Sequence, residues 1–164
     1  MRDRARELRE LWHAIDLYRR PAESLFQNNN CQYVTLKELS ELFENHLPDN
    51  APMTDLIAHI SSASIRISTA FDILEGGKRR KCLKGIMGNK QLTESQRIEQ
   101  LDRGLPRYLA HMLRDQVAHQ EGDEIWEGRQ KYLSRKKVCE VYEAFRESVE
   151  ELKTLLVEEG IIPN

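Results

Sequence analysis

The sequence predicts an all-α fold, an antiparallel bundle of four to five main helices that forms a single domain over residues 1–164. Along most of the chain, apolar residues recur every three or four positions, which is the period of an amphipathic helix. No segment shows the period-two alternation that is typical of a strand. The composition agrees with a helical protein, since 40% of the residues are hydrophobic, 32% are charged and 7% are aromatic.

The first helix is predicted over residues 3–20, where apolar side chains follow helical spacing at Leu8, Leu11, Trp12, Ile15 and Tyr18. Pro21 either kinks this helix or opens a short further piece that ends near Phe26. Residues 27–30 (Gln-Asn-Asn-Asn) are predicted to form a loop, because asparagine competes for local backbone hydrogen bonds and tolerates turn geometry.

Two further helices are predicted before the middle of the chain. Thr35 and Glu38 have the spacing of a capping box, so a short helix is expected from there to about His46. A long core helix follows over residues 54–74, and the two glycines at 76–77 end it. The positions that define its core face are Ile57, Ile60, Ser64, Ile67, Phe71 and Leu74.

The second half of the chain is also predicted to be mainly helical. Residues 78–87 are ambiguous and form either a short helix or an exposed connector. Thr93 and Gln96 open another helix, and Pro106 is predicted to be the first residue of the next one. Ser134 caps a last helix with one apolar stripe, which comprises Val138, Val141, Tyr142, Phe145, Val149, Leu152 and Leu156.

Charge and composition exclude several classes of protein. The net charge of −2 argues against a generally basic nucleic-acid coat, so any RNA contact requires a local patch. The three cysteines, Cys31, Cys82 and Cys139, are far apart and lack a C-x-x-C spacing, as expected of reduced thiols. No apolar run approaches the ~20 residues that span a bilayer. Residues 1–4 lack the apolar core of a signal peptide, so we expect a cytoplasmic protein without a membrane partner.

The stretch from Arg114 to His119 (Arg-Asp-Gln-Val-Ala-His) carries the most chemical information in the chain. An arginine presents a planar fork of donors that matches phosphate oxygens and stays charged at any working pH. A histidine exchanges a proton near neutral pH, which general acid-base chemistry requires. Asp115 lies one turn before His119 and is a candidate to orient its imidazole. The pair is therefore suited to binding and cleaving a phosphodiester.

An arginine, four intervening residues and a histidine at the end of the penultimate long helix of a small helical protein resemble the HEPN superfamily. Members of that family are commonly metal-independent endoribonucleases that act as dimers, and many are toxins or antiviral defence effectors. The resemblance implies an HEPN-like fold, single-stranded RNA or tRNA as substrate, and no cofactor. It implies that His119 acts in proton transfer and that Arg114 stabilises the charge that develops on the phosphorane.

Positions five apart lie about 140° around a regular helix, so Arg114 and His119 cannot project side by side from one undistorted helix. Either His119 lies at a frayed helix end, or two copies of the helix face each other. The HEPN resemblance implies the second arrangement, a homodimer with a composite cleft at its interface. An antitoxin is a further possible partner.

The same helix offers a metal site as an alternative. His111, Asp115 and His119 are spaced by four residues, so two imidazoles and a carboxylate lie within about 80° of one helix face. Against this alternative, the sequence offers no obvious fourth ligand, because His13, His46 and His59 are scattered.

The densest positive cluster is the best candidate for an RNA-docking patch in a slightly acidic protein, and it comprises Lys78, Arg79, Arg80, Lys81 and Lys84. Such a run is also typical of a solvated connector. Trp126 follows the motif in a polar stretch and is a candidate to stack on a base, whereas Trp12 lies among core residues.

Besides the metal-binding alternative, two functions remain open from the sequence. The first is an HEPN-type endoribonuclease in a toxin-antitoxin or defence context. The second is a non-catalytic helical module that binds a protein partner, such as a nucleotidyltransferase antitoxin. The Arg-Asp pair would then be a surface or interface salt bridge, and the histidine would interact with the carbonyls at a helix end.

Overall fold

The computed structural model describes residues 3–28, 51–118 and 138–164, and within these ranges the only regular secondary structure is helical. The six helices are α1 (Arg4–Asn28), α2 (Ala51–Glu75), α3 (Lys78–Met87), α4 (Glu94–Arg103), α5 (Leu105–Ala118) and α6 (Val138–Glu158). The all-α prediction is confirmed for these ranges. The predicted helix that begins near Thr35 and the predicted cap at Ser134 lie outside the described residues.

Helix α1 continues past Pro21 to Asn28. Pro21 therefore opens no separate element, and the first two residues of the predicted loop at 27–30 belong to the last turn of α1. A proline inside a helix removes one backbone hydrogen bond. Burial offsets that loss, because Ala22 is fully buried and α1 packs along α2.

The turn between α2 and α3 is made by Gly76 and Gly77, which have φ angles of 67° and 79°. Residues with a Cβ rarely adopt this left-handed conformation, so the glycine pair ends α2 as predicted. Residues 78–87, which the sequence left ambiguous, form the helix α3. The tight turn brings α3 back against α2, and α3 also contacts α4 and α5.

Helix α4 begins with the predicted capping box, in which Thr93 Oγ1 accepts from the Gln96 backbone and Gln96 Oε1 accepts from the Thr93 backbone. Helix α5 follows after Gly104, whose carbonyl accepts from the backbone amides of Arg107 and Tyr108. Pro106 is the second residue of α5, where the missing amide proton removes no intrahelical hydrogen bond.

Helices α2, α5 and α6 form the centre of the core, since each packs against the other two, and α1 covers α2. The predicted apolar faces are confirmed at buried positions of α1, α2 and α6, which include Leu8, Ile15, Ile60, Ile67, Phe71, Val141, Phe145, Val149, Leu152 and Leu156. Trp12 packs against this core, as expected. None of the helices in the described ranges combines the length and apolar character that a membrane span requires.

Candidate functional site

Arg114 lies near the C-terminal end of α5, and its guanidinium reaches across to α2. Arg114 Nη1 donates a hydrogen bond to Asp72 Oδ2 at 3.0 Å. About a third of the Arg114 side chain is exposed, at 32%, and Asp72 is exposed to a similar degree, at 27%. The arginine of the predicted motif is therefore held at a fixed place on the surface and still accessible from solvent.

A second guanidinium meets the same carboxylate oxygen. Arg80, on α3, donates from Nη2 to Asp72 Oδ2 at 2.7 Å. The Arg80 side chain is 26% exposed. Two cations from different helices thus converge on one acidic oxygen of α2, and each keeps nitrogen donors that Asp72 does not use.

Ser68 lies one turn before Asp72 on α2 and completes the cluster. Its Oγ lies 3.4 Å from both Arg80 Nη2 and Arg114 Nη1, and 2.6 Å from His111 Nδ1. A guanidinium can donate but not accept, so Ser68 Oγ accepts from the arginines, and the same oxygen forms a hydrogen bond with His111 Nδ1.

These five residues form what we call the two-arginine cluster: Ser68, Asp72, Arg80, His111 and Arg114. By formal charge, the two arginines of the cluster face a single aspartate. The cluster therefore keeps a net positive charge in a protein whose overall charge is −2. A partly exposed site with surplus guanidinium donors is suited to binding an oxyanion.

Sequence reasoning missed Ser68 and Asp72. Both were hidden in the core helix α2, where Ser64, Ser68 and Asp72 recur every four residues along a face that is otherwise apolar. Ser64 and Ser68 are buried, at 1% and 0% exposure. Buried polar residues at successive turns of a helix face require hydrogen-bond partners. This pattern in the sequence could have indicated a polar cluster on α2.

The described residues do not test the catalytic prediction. Arg114 belongs to the cluster, whereas Asp115 lies in α5 with its side chain outside the described atoms. His119 and Trp126 also lie outside the described residues. The distance between Arg114 and His119, and the stacking role of Trp126, stay predictions.

The metal alternative rests on the same undescribed residues. His111, its first member, is buried at 1% exposure and has its Nδ1 bound to Ser68. Asp115 and His119 cannot be placed around it. Within the ranges 3–28, 51–118 and 138–164, no group of three or more histidine, cysteine or acidic side chains is arranged to hold a metal ion.

Helix α3 divides the predicted RNA-docking run into three parts. Lys78, Lys81 and Lys84 are exposed and spaced by three, so they extend into solvent from neighbouring turns. Arg80 points to the two-arginine cluster. Arg79 is buried at 1% exposure and points to the core.

Arg79 connects three helices. Its Nε donates to Glu75 Oε1 of α2 at 2.5 Å, its Nη2 pairs with Glu151 of α6, and its guanidinium stacks on the Phe71 ring at 3.6 Å. Burial lowers the Arg79 pKa, but the hydrogen bonds and charges of Glu151 and Glu75 outweigh that effect and raise it overall. In this conformation Arg79 is a packing residue and is not available to a phosphate.

The chain was compared with protein-family models, with curated proteins and with solved structures, and none of the three comparisons finds a significant match.

Proposed function

We propose that this chain is a metal-independent endoribonuclease of the HEPN type, with Arg114 as the residue that binds the reacting phosphate. The observation that carries the proposal is the placement of Arg114. It is partly exposed, it is fixed by Asp72 at 3.0 Å, and it lies beside a second guanidinium from α3. An arginine that is held before substrate arrives loses little freedom on binding a phosphate.

In the proposed reaction, the ribose 2′-oxygen attacks the adjacent phosphorus and loses its proton, and the 5′-oxygen leaves and gains one. The products are a 2′,3′-cyclic phosphate and a 5′-hydroxyl. His119 transfers protons in this scheme, and Asp115 orients its imidazole. Arg114 stabilises the negative charge that develops on the phosphorane, a contribution that is often the largest in catalysis.

The proposed enzyme is a cytoplasmic homodimer with an HEPN-like bundle, in which two α5 helices meet and Arg114 of one protomer approaches His119 of its partner. Mixing an Arg114→Ala chain with a His119→Ala chain tests this arrangement. Heterodimers should then hold one intact composite site and recover part of the activity. Strictly monomeric behaviour in solution would contradict the dimer, and an antitoxin partner belongs to the same proposal.

A non-catalytic interaction module is the second candidate, and one observation favours it. Arg114, Asp72 and Ser68 join α5 to α2 through the contacts described above, so Arg114 has a structural partner without any substrate. In such a module the arginine would stabilise the helix pair that presents a binding surface to a protein partner.

Incubation of the purified protein with total RNA in the presence of a chelator distinguishes the two functions. The enzyme cleaves RNA, and Arg114→Gln and His119→Ala each abolish cleavage while the helical content is unchanged. The matched control is Arg103→Gln, which removes an exposed arginine that pairs with Glu99. Absence of cleavage by the unmodified chain, or equal cleavage by all variants, would contradict the proposed function.

A further inference from the structure

We infer that Arg80 and Arg114 bind the same phosphate of single-stranded RNA, and that Asp72 and Ser68 position the two guanidiniums for it. Arg80 then belongs to the same phosphate-binding site as Arg114, and its role differs from that of the exposed lysines of α3. That the phosphate belongs to RNA rests on the proposed function. The binding step itself requires no catalysis.

The guanidinium groups of Arg80 and Arg114 converge on one oxygen atom. Arg80 Nη2 and Arg114 Nη1 lie 2.7 and 3.0 Å from the same oxygen, Asp72 Oδ2. Two guanidiniums that share one carboxylate oxygen are near enough to share one phosphate group, whose several oxygens accept from more than one donor. Each arginine has five N–H donors, and the described contacts use few of them.

Some polar atoms of the cluster are buried and have no hydrogen-bond partner within the described residues. Arg80 Nε is one such atom, and Asp72 Oδ1 is another. Buried donors and acceptors in folded proteins are nearly always satisfied by protein, water or ligand. A phosphate oxygen is a suitable acceptor for Arg80 Nε.

Helix α3 holds Arg80 in place. The preceding residue, Arg79, is buried and tied to Glu75 and Glu151, and the Gly76-Gly77 turn fixes the start of the helix. Arg80 therefore leaves a rigid part of the backbone next to Asp72. A guanidinium held in this way binds a phosphate with a smaller loss of side-chain entropy than an exposed lysine does.

A noncleavable probe tests the inference separately from the reaction. The probe is a short fluorescent single-stranded RNA in which every 2′-hydroxyl is methylated, so that 2′-oxygen attack cannot occur. Its affinity is measured by anisotropy for the unmodified chain, Arg80→Gln, Arg114→Gln and the double variant. Arg103→Gln is the charge-matched control on an exposed pair, and circular dichroism checks that each variant is folded.

If both arginines bind one phosphate, each single variant weakens binding by about tenfold or more, whereas Arg103→Gln changes it little. The double variant then loses less than the product of the two single losses, because either change alone disrupts the shared contact. Arg80→Lys should keep the salt dependence of the unmodified chain and recover part of the affinity, since it keeps the charge but loses the fork.

Three results are distinguishable. Loss of probe binding in both single variants without any RNA cleavage supports the shared site and contradicts the nuclease. Cleavage that depends on Arg114, with Arg80→Gln binding like the control, supports the nuclease and overturns the inference. Fully additive losses in the double variant also overturn the inference, because they place the two arginines on different phosphates.

Discussion

Arg114 on α5 and Asp72 on α2 are joined by a hydrogen bond of 3.0 Å between residues that are 42 positions apart in the sequence. The bond fixes the direction of an arginine that would otherwise extend from a helix end into solvent. It also brings Arg114 beside Arg80, which shares the same carboxylate oxygen. The chemistry of the candidate site therefore depends on the packing of α2 against α5.

Asp72→Asn should lower the free energy of unfolding by about 1–2 kcal/mol, because it leaves two neighbouring guanidiniums without their shared acidic partner. The expected loss of unfolding free energy is small because the three side chains are about a quarter to a third exposed, and solvent screens their charges. Urea denaturation measures the change. Glu99→Gln is the matched control, since it removes an exposed partner of Arg103 and should cost less than ~0.5 kcal/mol. An equal effect of the two variants would contradict the role of Asp72.

Arg79→Gln should lower the free energy of unfolding by about 2–3 kcal/mol, because the change removes a buried charge that links α3 to α2 and α6. Glu75 and Glu151 reach solvent and can rehydrate, so the cost stays below that of a fully buried pair. Lys81→Gln, on the exposed side of α3, should change stability by less than ~0.5 kcal/mol. Thermal or urea unfolding of both variants measures the contrast, and similar stabilities would show that Arg79 is not a packing residue.

The exposed lysines of α3 should contribute to RNA affinity through charge alone. A double variant, Lys81→Gln with Lys84→Gln, should flatten the log-log salt dependence of single-stranded RNA binding by ~1.4 if both lysines contact phosphates. It should leave the stability of the fold unchanged within ~0.5 kcal/mol. Fluorescence anisotropy over a salt series gives the slope. An unchanged slope with unchanged affinity would assign these lysines to the solvated surface.

Asp16 should contribute to stability above pH ~4, the ordinary range of an aspartate. Burial raises its pKa, but the hydrogen bonds and charges of Arg19 and Arg20 outweigh that effect and lower it overall. A carboxylate with a lowered pKa in the folded state stabilises the fold above its unfolded pKa, and this contribution is lost as the pH falls through the folded pKa. Asp16→Asn should therefore reduce the stability difference between pH 7 and pH 3, which urea denaturation at both values measures. The same pH dependence in the variant and the unmodified chain would contradict this.

Local signals predicted much of the fold. Helix α4 follows from its capping box and α2 from its apolar period and the glycine pair that ends it. The prediction was less accurate where packing decides the outcome. Helix α1 continues past Pro21 because burial against α2 offsets the lost hydrogen bond, and no local spacing encodes that contact.

The candidate site could be predicted from the sequence in part. Arg114 was found because its motif is local, whereas Ser68 and Asp72 lie 46 and 42 positions away and meet it only through tertiary packing. The basic run of α3 could be recognised from composition. The different directions in which its side chains point could not be predicted. Arg79 points into the core, Arg80 points to the two-arginine cluster and the lysines extend into solvent. These directions depend on how α3 packs against α2.

The most direct test of the proposed enzyme is the chemistry of the RNA ends that it produces in the presence of a chelator. The account predicts 2′,3′-cyclic phosphate and 5′-hydroxyl ends with the unmodified chain, and loss of these ends by orders of magnitude in Arg114→Gln and His119→Ala, but not in Arg103→Gln. End-specific ligation and sequencing of the fragments measures this. Intact RNA, 5′-phosphate ends, or full activity in Arg114→Gln would contradict the proposed ribonuclease function.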